Sequence, residues 1–319
     1  MHYDVFNGDA DGIIALLQLR LAEPKAAQLV TGVKRDIQLL EALSLDSKDT
    51  LTVLDISMAS NQKALINALD LGAQVFYADH HKAGDIPSYS NLDAHIDLEA
   101  DTCTALIIDT LLQRRFHLWA ITAAYGDNLL AKADTLALEA GLSCQQALQL
   151  QELGTLVNYN GYGEDVEDLH FHPAVLFQQL LAYDDPFAVI ADNTSPYHTL
   201  KTAFAEDMTQ AQLLDASYQD NQLSVFILPD TAASRRISGV YGNWLANQAP
   251  NNAHLVLTAN SQQGYTVSLR APLNNKQGAG ELCSQFVSGG GREAAGGINH
   301  LITANLDELI ARVSAYYQA

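Results

Sequence analysis

Short apolar or β-branched runs alternate with amphipathic stretches through the first hundred residues: HYDVF, then 13–21, AQLVTGV, 37–43, TLTVLDI, 62–71 and AQVFYAD. Few folds accept such an order. Successive parallel strands need a crossover, usually a helix, and the paired faces must both be covered. The fold class expected is therefore α/β, a parallel sheet flanked by helices. Sheets of this kind present ligand-binding groups just past the carboxyl ends of their strands. Three of the expected strands end in acids at that edge: one in Asp9 and Asp11, one in Asp55, and one in the run Asp79-His80-His81.

Beyond residue 102 the spacing of apolar residues turns helical, over 104–112, 118–125 and 134–153. The stretch ADNTSPYHTL at 191–200 is rich in turn formers, and a polar-faced helix follows at 201–218. Strand-like runs LSVFIL, HLVLTAN and YTVSLR then surround a helical segment at 240–247, and a glycine-rich loop precedes a last helix at 306–317. A chain of 319 residues is long for one core. The expected organisation is a first domain at 1–190, a linker with a helix at 191–222, and a second, smaller α/β domain at 223–319.

Net charge bears on partners. The chain carries −20 at pH 7, and residues 223–319 hold six Lys/Arg against five Asp/Glu, so the acidity lies almost wholly in the first part. Affinity for long nucleic acid comes mainly from basic residues that neutralise phosphates, so such a partner is excluded and small or short substrates fit. Three widely spaced cysteines without a CxxC pair point to a reducing cytoplasm. The N-terminus MHYDVFNGDADG lacks the basic and apolar regions of an export signal, and no apolar window reaches membrane-spanning length. Neither export nor a membrane partner is expected.

The acids at the sheet edge are individually weak signals. An Asp after a strand is often a helix cap, and paired histidines are often polar surface. Together they gather charge of one sign at one edge, which is costly unless a cation neutralises it. Asp9 and Asp11, two residues apart in Asn7-Gly8-Asp9-Ala10-Asp11-Gly12, converge if the chain leaves the strand in a turn, and the flanking glycines favour one. Asp127, at the end of an apolar helix in Tyr125-Gly126-Asp127-Asn128, closes the set. Carboxylates mixed with imidazole suit Mn²⁺ or Mg²⁺ better than structural zinc, which normally recruits cysteine.

With these residues in order, the sequence resembles the DHH phosphoesterase superfamily over nearly its whole length. The triplet Asp79-His80-His81 gives that family its name. Asp9-Ala10-Asp11-Gly12, Asp55 and Asp127 match its other catalytic motifs, and Ser288 to Gly296 matches the glycine motif of the C-terminal DHHA1-type domain found in oligoribonuclease or nanoRNase-like members. The resemblance implies two divalent cations, Mn²⁺ before Mg²⁺. Asp9 and Asp55 would hold one, and Asp11, Asp55, His80 and Asp127 the other, with Asp55 as the bridge. Asp79 and His81 would lie beside the substrate or orient the ligands. Two positions depart from the pattern: Val5 stands where many relatives have a metal-binding histidine, with Asn7 the nearby polar residue, and Arg292 stands where histidine is more common.

In the second domain, Gly289, Gly290 and Gly291 let backbone amides approach an anion, and the small residues after Arg292 suit a helix that begins at that anion. A hairpin turn or surface loop is the alternative for such a run. Arg270, ending YTVSLR, occupies the position where the family offers a basic group to the substrate. The expected function is two-metal hydrolysis of short oligoribonucleotides or small nucleotides, such as a linear dinucleotide or 3′-phosphoadenosine phosphate. A pyrophosphatase or exopolyphosphatase and a non-catalytic nucleotide sensor are the competing readings. Self-association into a homodimer is left open.

Overall fold

Every residue of the first strand, β1 (His2–Phe6), is buried, the mark of a central strand covered on both faces. In this computed structural model, which describes residues 1–318, β1 lies between β2 (Gln28–Val30) and β3 (Thr50–Leu54). With β4 (Gln74–Asp79) and β5 (Leu92–Ile96) they form a five-stranded sheet of order β2-β1-β3-β4-β5. All four pairings are parallel. Helix α1 (Ala10–Ala22) follows β1 and α2 (Met58–Leu71) follows β3. Val5, Val53, Val75 and Tyr77 pack in one core with Leu65, Ala68 and Leu69 of α2. Because the chain leaves β1 towards β2 and returns to β3 on the other side, the strand order reverses at β1, and a crevice is expected at the carboxyl edge between β1 and β3.

The first compact unit ends at Thr202. It is completed by α3 (Thr104–Leu111), α4 (His117–Gly126), α5 (Leu130–Glu139), α6 (Cys144–Asn160), α7 (Pro173–Leu180) and α8 (Pro186–Ala191). Three details differ from the sequence reading. Residues 37–43 form only a 3₁₀ turn, Leu39–Ala42, because the Asn61 side chain accepts from the Leu40 amide and donates to the Ile37 carbonyl, satisfying groups a helix would have paired. The helix expected over 134–153 is two helices, interrupted at Gly141 (φ 74°) and restarted by a Ser143–Gln146 capping box. Strand β5 was not anticipated. It is an edge strand with a half-exposed, partly polar sequence, LDAHI, which resembles a loop when only apolar alternation is sought.

The segment expected as a linker, 191–222, contains α9 (Pro196–Gln212), and the second unit begins inside that helix at Ala203. The elements that follow are β6 (Tyr218–Gln219), β7 (Leu223–Leu228), α10 (Ala232–Gln248), β8 (Ala253–Ala259), β9 (Gly264–Arg270), α11 (Ala279–Ser284), β10 (Gly289–Gly291), β11 (Ala295–Ile302) and α12 (Leu306–Gln318). They build a six-stranded sheet of order β10-β11-β9-β8-β7-β6, in which β7 and β8 are parallel and the other pairings antiparallel. Leu223, Val225, Leu255, Leu257, Val267 and Leu269 of the sheet pack with Leu309 and Val313 of α12. Helix α10 starts eight residues before the expected 240, where the Thr231 hydroxyl caps it by accepting from the Ser234 amide. Among the described residues no helix is long and apolar enough to cross a membrane.

Candidate metal centre

The chain leaves β1 through Asn7 and Gly8 and turns at once into α1. Asp9 is the N-cap of that helix: its Oδ1 accepts from the amides of Asp11 (3.0 Å) and Gly12 (3.1 Å), while its own amide donates to Asn7 Oδ1 (3.1 Å). The turn requires glycine at position 12, where a Cβ would stand 2.3 Å from the Asn7 carbonyl oxygen. Asp11 is fixed from far along the chain. Its two oxygens accept from the amides of Thr104 and Ala105, each at 2.7 Å, so it neutralises the positive end of α3.

Asp55 is the first residue beyond β3 and has φ 58°. Left-handed backbone is uncommon outside glycine but tolerated by Asp and Asn, and it concentrates at functional sites. The Asp55 Oδ1 accepts from the Thr104 hydroxyl (3.1 Å). Asp79, wholly buried at the end of β4, accepts from His81 Nδ1 at 2.7 Å. Asp127 lies just past α4 as its C-terminal cap residue.

These side chains meet around His80. Its Nε2 lies 3.5 Å from Asp55 Oδ1, 3.7 Å from Asp11 Oδ2 and 3.9 Å from Asp127 Oδ2. Its Nδ1 is 3.0 Å from the Thr102 carbonyl oxygen, which only accepts, so Nδ1 carries the proton. In the neutral ring Nε2 is then an acceptor turned towards carboxylate oxygens. Asp127 Oδ2 and Asp79 Oδ2 are buried without a hydrogen-bond partner. Acceptors gathered around acceptors fit a cation in their midst, and this oxygen-rich set with one imidazole suits Mn²⁺ or Mg²⁺. Ligand atoms of Asp55, His80 and His81 fall within 4.8 Å of one another. Asp55, His80 and His81 thus form the cluster that could hold a divalent cation, and the expected ligands Asp11 and Asp127 lie 3.7 and 3.9 Å from His80 Nε2.

The electrostatics divide the acids. Burial, followed by the neighbouring charges of Asp11, Asp9, Asp79 and Asp127, pushes Asp55 well above the usual carboxylate range. Burial also raises Asp127, with Lys34 and His80 opposing and Asp11 and Asp9 adding to the rise. Asp9 is buried too, yet the Lys34 ammonium and the Gly12 amide outweigh that burial and hold it down to about 2.

Lys34 is the site residue that the sequence reading missed. Its Nζ is 2.6 Å from Asp9 Oδ2, 3.1 Å from Asn158 Oδ1 and 3.9 Å from Asp127 Oδ1, and 5.5 Å from the Tyr162 ring centre. A usable signal existed: Lys34 follows β2 at the same carboxyl edge as the acids. The Lys34 ammonium thus sits against Asp9 Oδ2, one of the groups to which the resemblance assigns the other cation. Val5 lies in the apolar core of the sheet, and Asn7 donates its Nδ2 to the Lys34 carbonyl (3.1 Å).

The remaining expected residues lie in the second unit. Arg270 ends β9, where its Nε donates to Asn243 Oδ1 (2.6 Å) and its Nη1 to Ser268 Oγ (2.9 Å). Gly289, Gly290 and Gly291 are not a loop leading into a helix: they form β10, paired with β11, and the chain runs from Arg292 directly into strand β11. The hairpin prevails because its tip is tied down from the side. The amides of Ala279 and Gly280, the first of α11, donate to the carbonyls of Glu293 and Arg292, each at 2.9 Å. Gly291 has φ 143°, and a Cβ on Gly289 would stand 1.8 Å from the Cys283 carbonyl oxygen, so close backbone approach explains both glycines. The Arg292 amide donates to the Ala295 carbonyl, and Ala295 in turn pairs with Arg270, which brings both arginine backbones to one end of this sheet.

No protein-family model matches this sequence, and no curated protein does either. Solved structures do. The exonuclease RecJ bound to manganese aligns at TM-score 0.59 and 17% identity over 99% of this chain and 90% of its own. RecJ from Thermus thermophilus in complex with Mn²⁺ aligns at TM-score 0.61 and 16% identity, also over 99% of this chain, which spans only 52% of that protein. The pGpG-specific phosphodiesterase PggH of Vibrio cholerae aligns at TM-score 0.58 and 15% identity over 99% of each chain. The fold anticipated from the DHH resemblance is therefore the fold observed.

Proposed function

We propose that this chain is a divalent-cation-dependent hydrolase of phosphate esters that cuts short oligoribonucleotides or small nucleotides, with a linear dinucleotide or 3′-phosphoadenosine phosphate as representative substrates and Mn²⁺ as the working ion. The observation that carries this reading is the convergence of His80 Nε2 with oxygens of Asp11, Asp55 and Asp127, 3.5 to 3.9 Å away, beside the strand-order reversal. A cation held there supplies Lewis acidity to a phosphoryl oxygen and to an attacking water. The chain's own groups do the positioning. Thr102 fixes the His80 ring, the amides of Thr104 and Ala105 hold the Asp11 carboxylate, and the Thr104 hydroxyl steadies Asp55. Asp79 orients His81 through Nδ1. With 41% of its side chain exposed, His81 is suited to meet the substrate and pass a proton to the leaving oxygen.

Arg270, Gly289, Gly290, Gly291 and Arg292 are the proposed substrate-binding group of the second unit, Arg292 gripping a terminal phosphate bidentately. A net charge of −20 supports small substrates over long strands, and three unpaired cysteines support a reducing, cytoplasmic setting. The test is product release with Mn²⁺ from a 5′-phosphorylated RNA dinucleotide, 3′-phosphoadenosine phosphate, a cyclic dinucleotide and pyrophosphate. Mononucleotide release from the dinucleotide, or phosphate from the bisphosphate, is expected. Turnover of pyrophosphate alone overturns the substrate class, and silence on all four overturns the activity.

A further inference from the structure

The acids of the centre are not equally in need of a cation. Asp11 accepts from two neutral backbone amides at 2.7 Å, which orient it but leave its charge in place, and Asp79 accepts from His81. Asp9 has Oδ1 engaged by two amides and Oδ2 by the Lys34 ammonium at 2.6 Å. Asp55 and Asp127 receive no comparable cationic partner: Lys34 Nζ stands 3.9 Å from Asp127. The Lys34 side chain is also held independently of Asp9. Asn158, itself buried, accepts from its Nζ at 3.1 Å, and the ring of Tyr162 lies beneath it at 5.5 Å. Its backbone is pinned as well, the amide donating to the Gly161 carbonyl (2.8 Å) and the carbonyl accepting from Asn7. An ammonium with two oxygen acceptors, an aromatic face and fixed backbone on both sides is a built feature of the site.

We propose that the Lys34 ammonium stands permanently where a second cation was expected, so that this chain binds one exchangeable divalent ion, at Asp11, Asp55, His80 and Asp127, instead of two. This rests on the metal centre of the proposed function and deepens it. Lys34 then contributes a fixed positive charge beside the ion, available to a phosphoryl oxygen of the substrate, and activity rises with Mn²⁺ along a single-site curve. The difference between one ion and two is chemical. Ions about 3.5 to 4 Å apart share ligands and couple magnetically, whereas an ammonium is spectroscopically silent.

The experiment is a Mn²⁺ titration of the full-length protein followed by electron paramagnetic resonance and equilibrium dialysis. One tightly bound Mn²⁺ per chain with an uncoupled signal is expected, and Lys34→Glu, which exchanges the ammonium for a ligand, is expected to take up a second ion and show a coupled signal. Two tight ions in the wild-type protein, or an unchanged single ion in the Lys34→Glu variant, overturns the proposal. Because the wild-type count decides by itself, a variant that fails to fold does not rescue it. One ion without hydrolysis of any phosphate ester sinks the proposed activity while upholding the assignment of Lys34; no bound ion overturns both.

Discussion

The first sheet carries two buried groups of charges, and they are organised in opposite ways. In the middle of β1, Asp4 is paired with Arg20 from α1 through Nε (2.8 Å) and Nη2, and the same guanidinium reaches Thr52 (3.1 Å) and His2 Nε2 (3.0 Å). His2 Nδ1 meets Thr50 Oγ1 at 2.6 Å, and burial, reinforced by Lys25 and Arg20 against the pull of Asp4, keeps its ring below the ordinary histidine value. One positive and one negative charge cancel there, and the polar neighbours complete the hydrogen bonding. At the carboxyl edge, Asp9, Asp11, Asp55, Asp79 and Asp127 face one lysine and two histidines. A group of buried charges that balances itself serves the fold; one that leaves a surplus awaits a ligand.

The sharpest way to break this contrast is Asp55→Asn, which keeps shape and tolerates the same backbone while removing one charge. Mn²⁺-dependent hydrolysis should fall by at least about a thousandfold, roughly 4 kcal/mol of barrier, while the metal-free protein should melt at a higher temperature. Hydrolysis within tenfold of wild type would place the chemistry elsewhere. The mirror experiment is Arg20→Met. It leaves Asp4 buried without its counter-ion and should cost about 3–5 kcal/mol in urea unfolding, with turnover per folded molecule unchanged; a loss of turnover as large as that of Asp55→Asn would erase the distinction.

A third test uses pH and metal together. Asp55 and Asp127 bind protons more tightly folded than unfolded, so in chelator their contribution makes stability fall as pH rises from the ordinary 3.8 through their raised values. Asp9 acts with the opposite sign: its contribution is present above 3.8 and is lost as pH falls through about 2. Mn²⁺ at a hundred times its Kd should restore about 2.7 kcal/mol at neutral pH and flatten the downward slope, as read by thermal melts across pH with and without the ion. The smallest effect expected is that of Arg292→Ala, a rise in KM of about tenfold, some 1.4 kcal/mol, with kcat nearly unchanged; a fall in kcat with KM unchanged would remove Arg292 from substrate binding.

Much of the fold was legible because strand ends and acids coincide: Asp9, Asp55 and Asp79 each follow a run that only a buried strand explains, and all three lie at one sheet edge. What escaped depends on contacts far apart along the chain. The place of Lys34 after β2 puts it at the acids' edge, but nothing near it announces Asn158 as its second partner, and nothing near Asp11 announces the amides of Thr104 and Ala105, 93 and 94 residues away. The glycine run misled for a related reason. Ser288 to Gly296 reads equally well as an anion loop or a hairpin, and the choice is made by α11, whose first amides take the carbonyls of Arg292 and Glu293.

The left-handed backbone of Asp55 bears on how such a protein diverges. At φ 58° the residues that substitute with little conformational cost are glycine and asparagine, and asparagine reproduces the outline of the side chain. A central residue of the proposed metal centre is therefore also one where neutral drift meets little resistance from folding. On the proposed function, a descendant carrying asparagine there would keep its architecture while giving up turnover, a short path from a hydrolase to a protein that only binds.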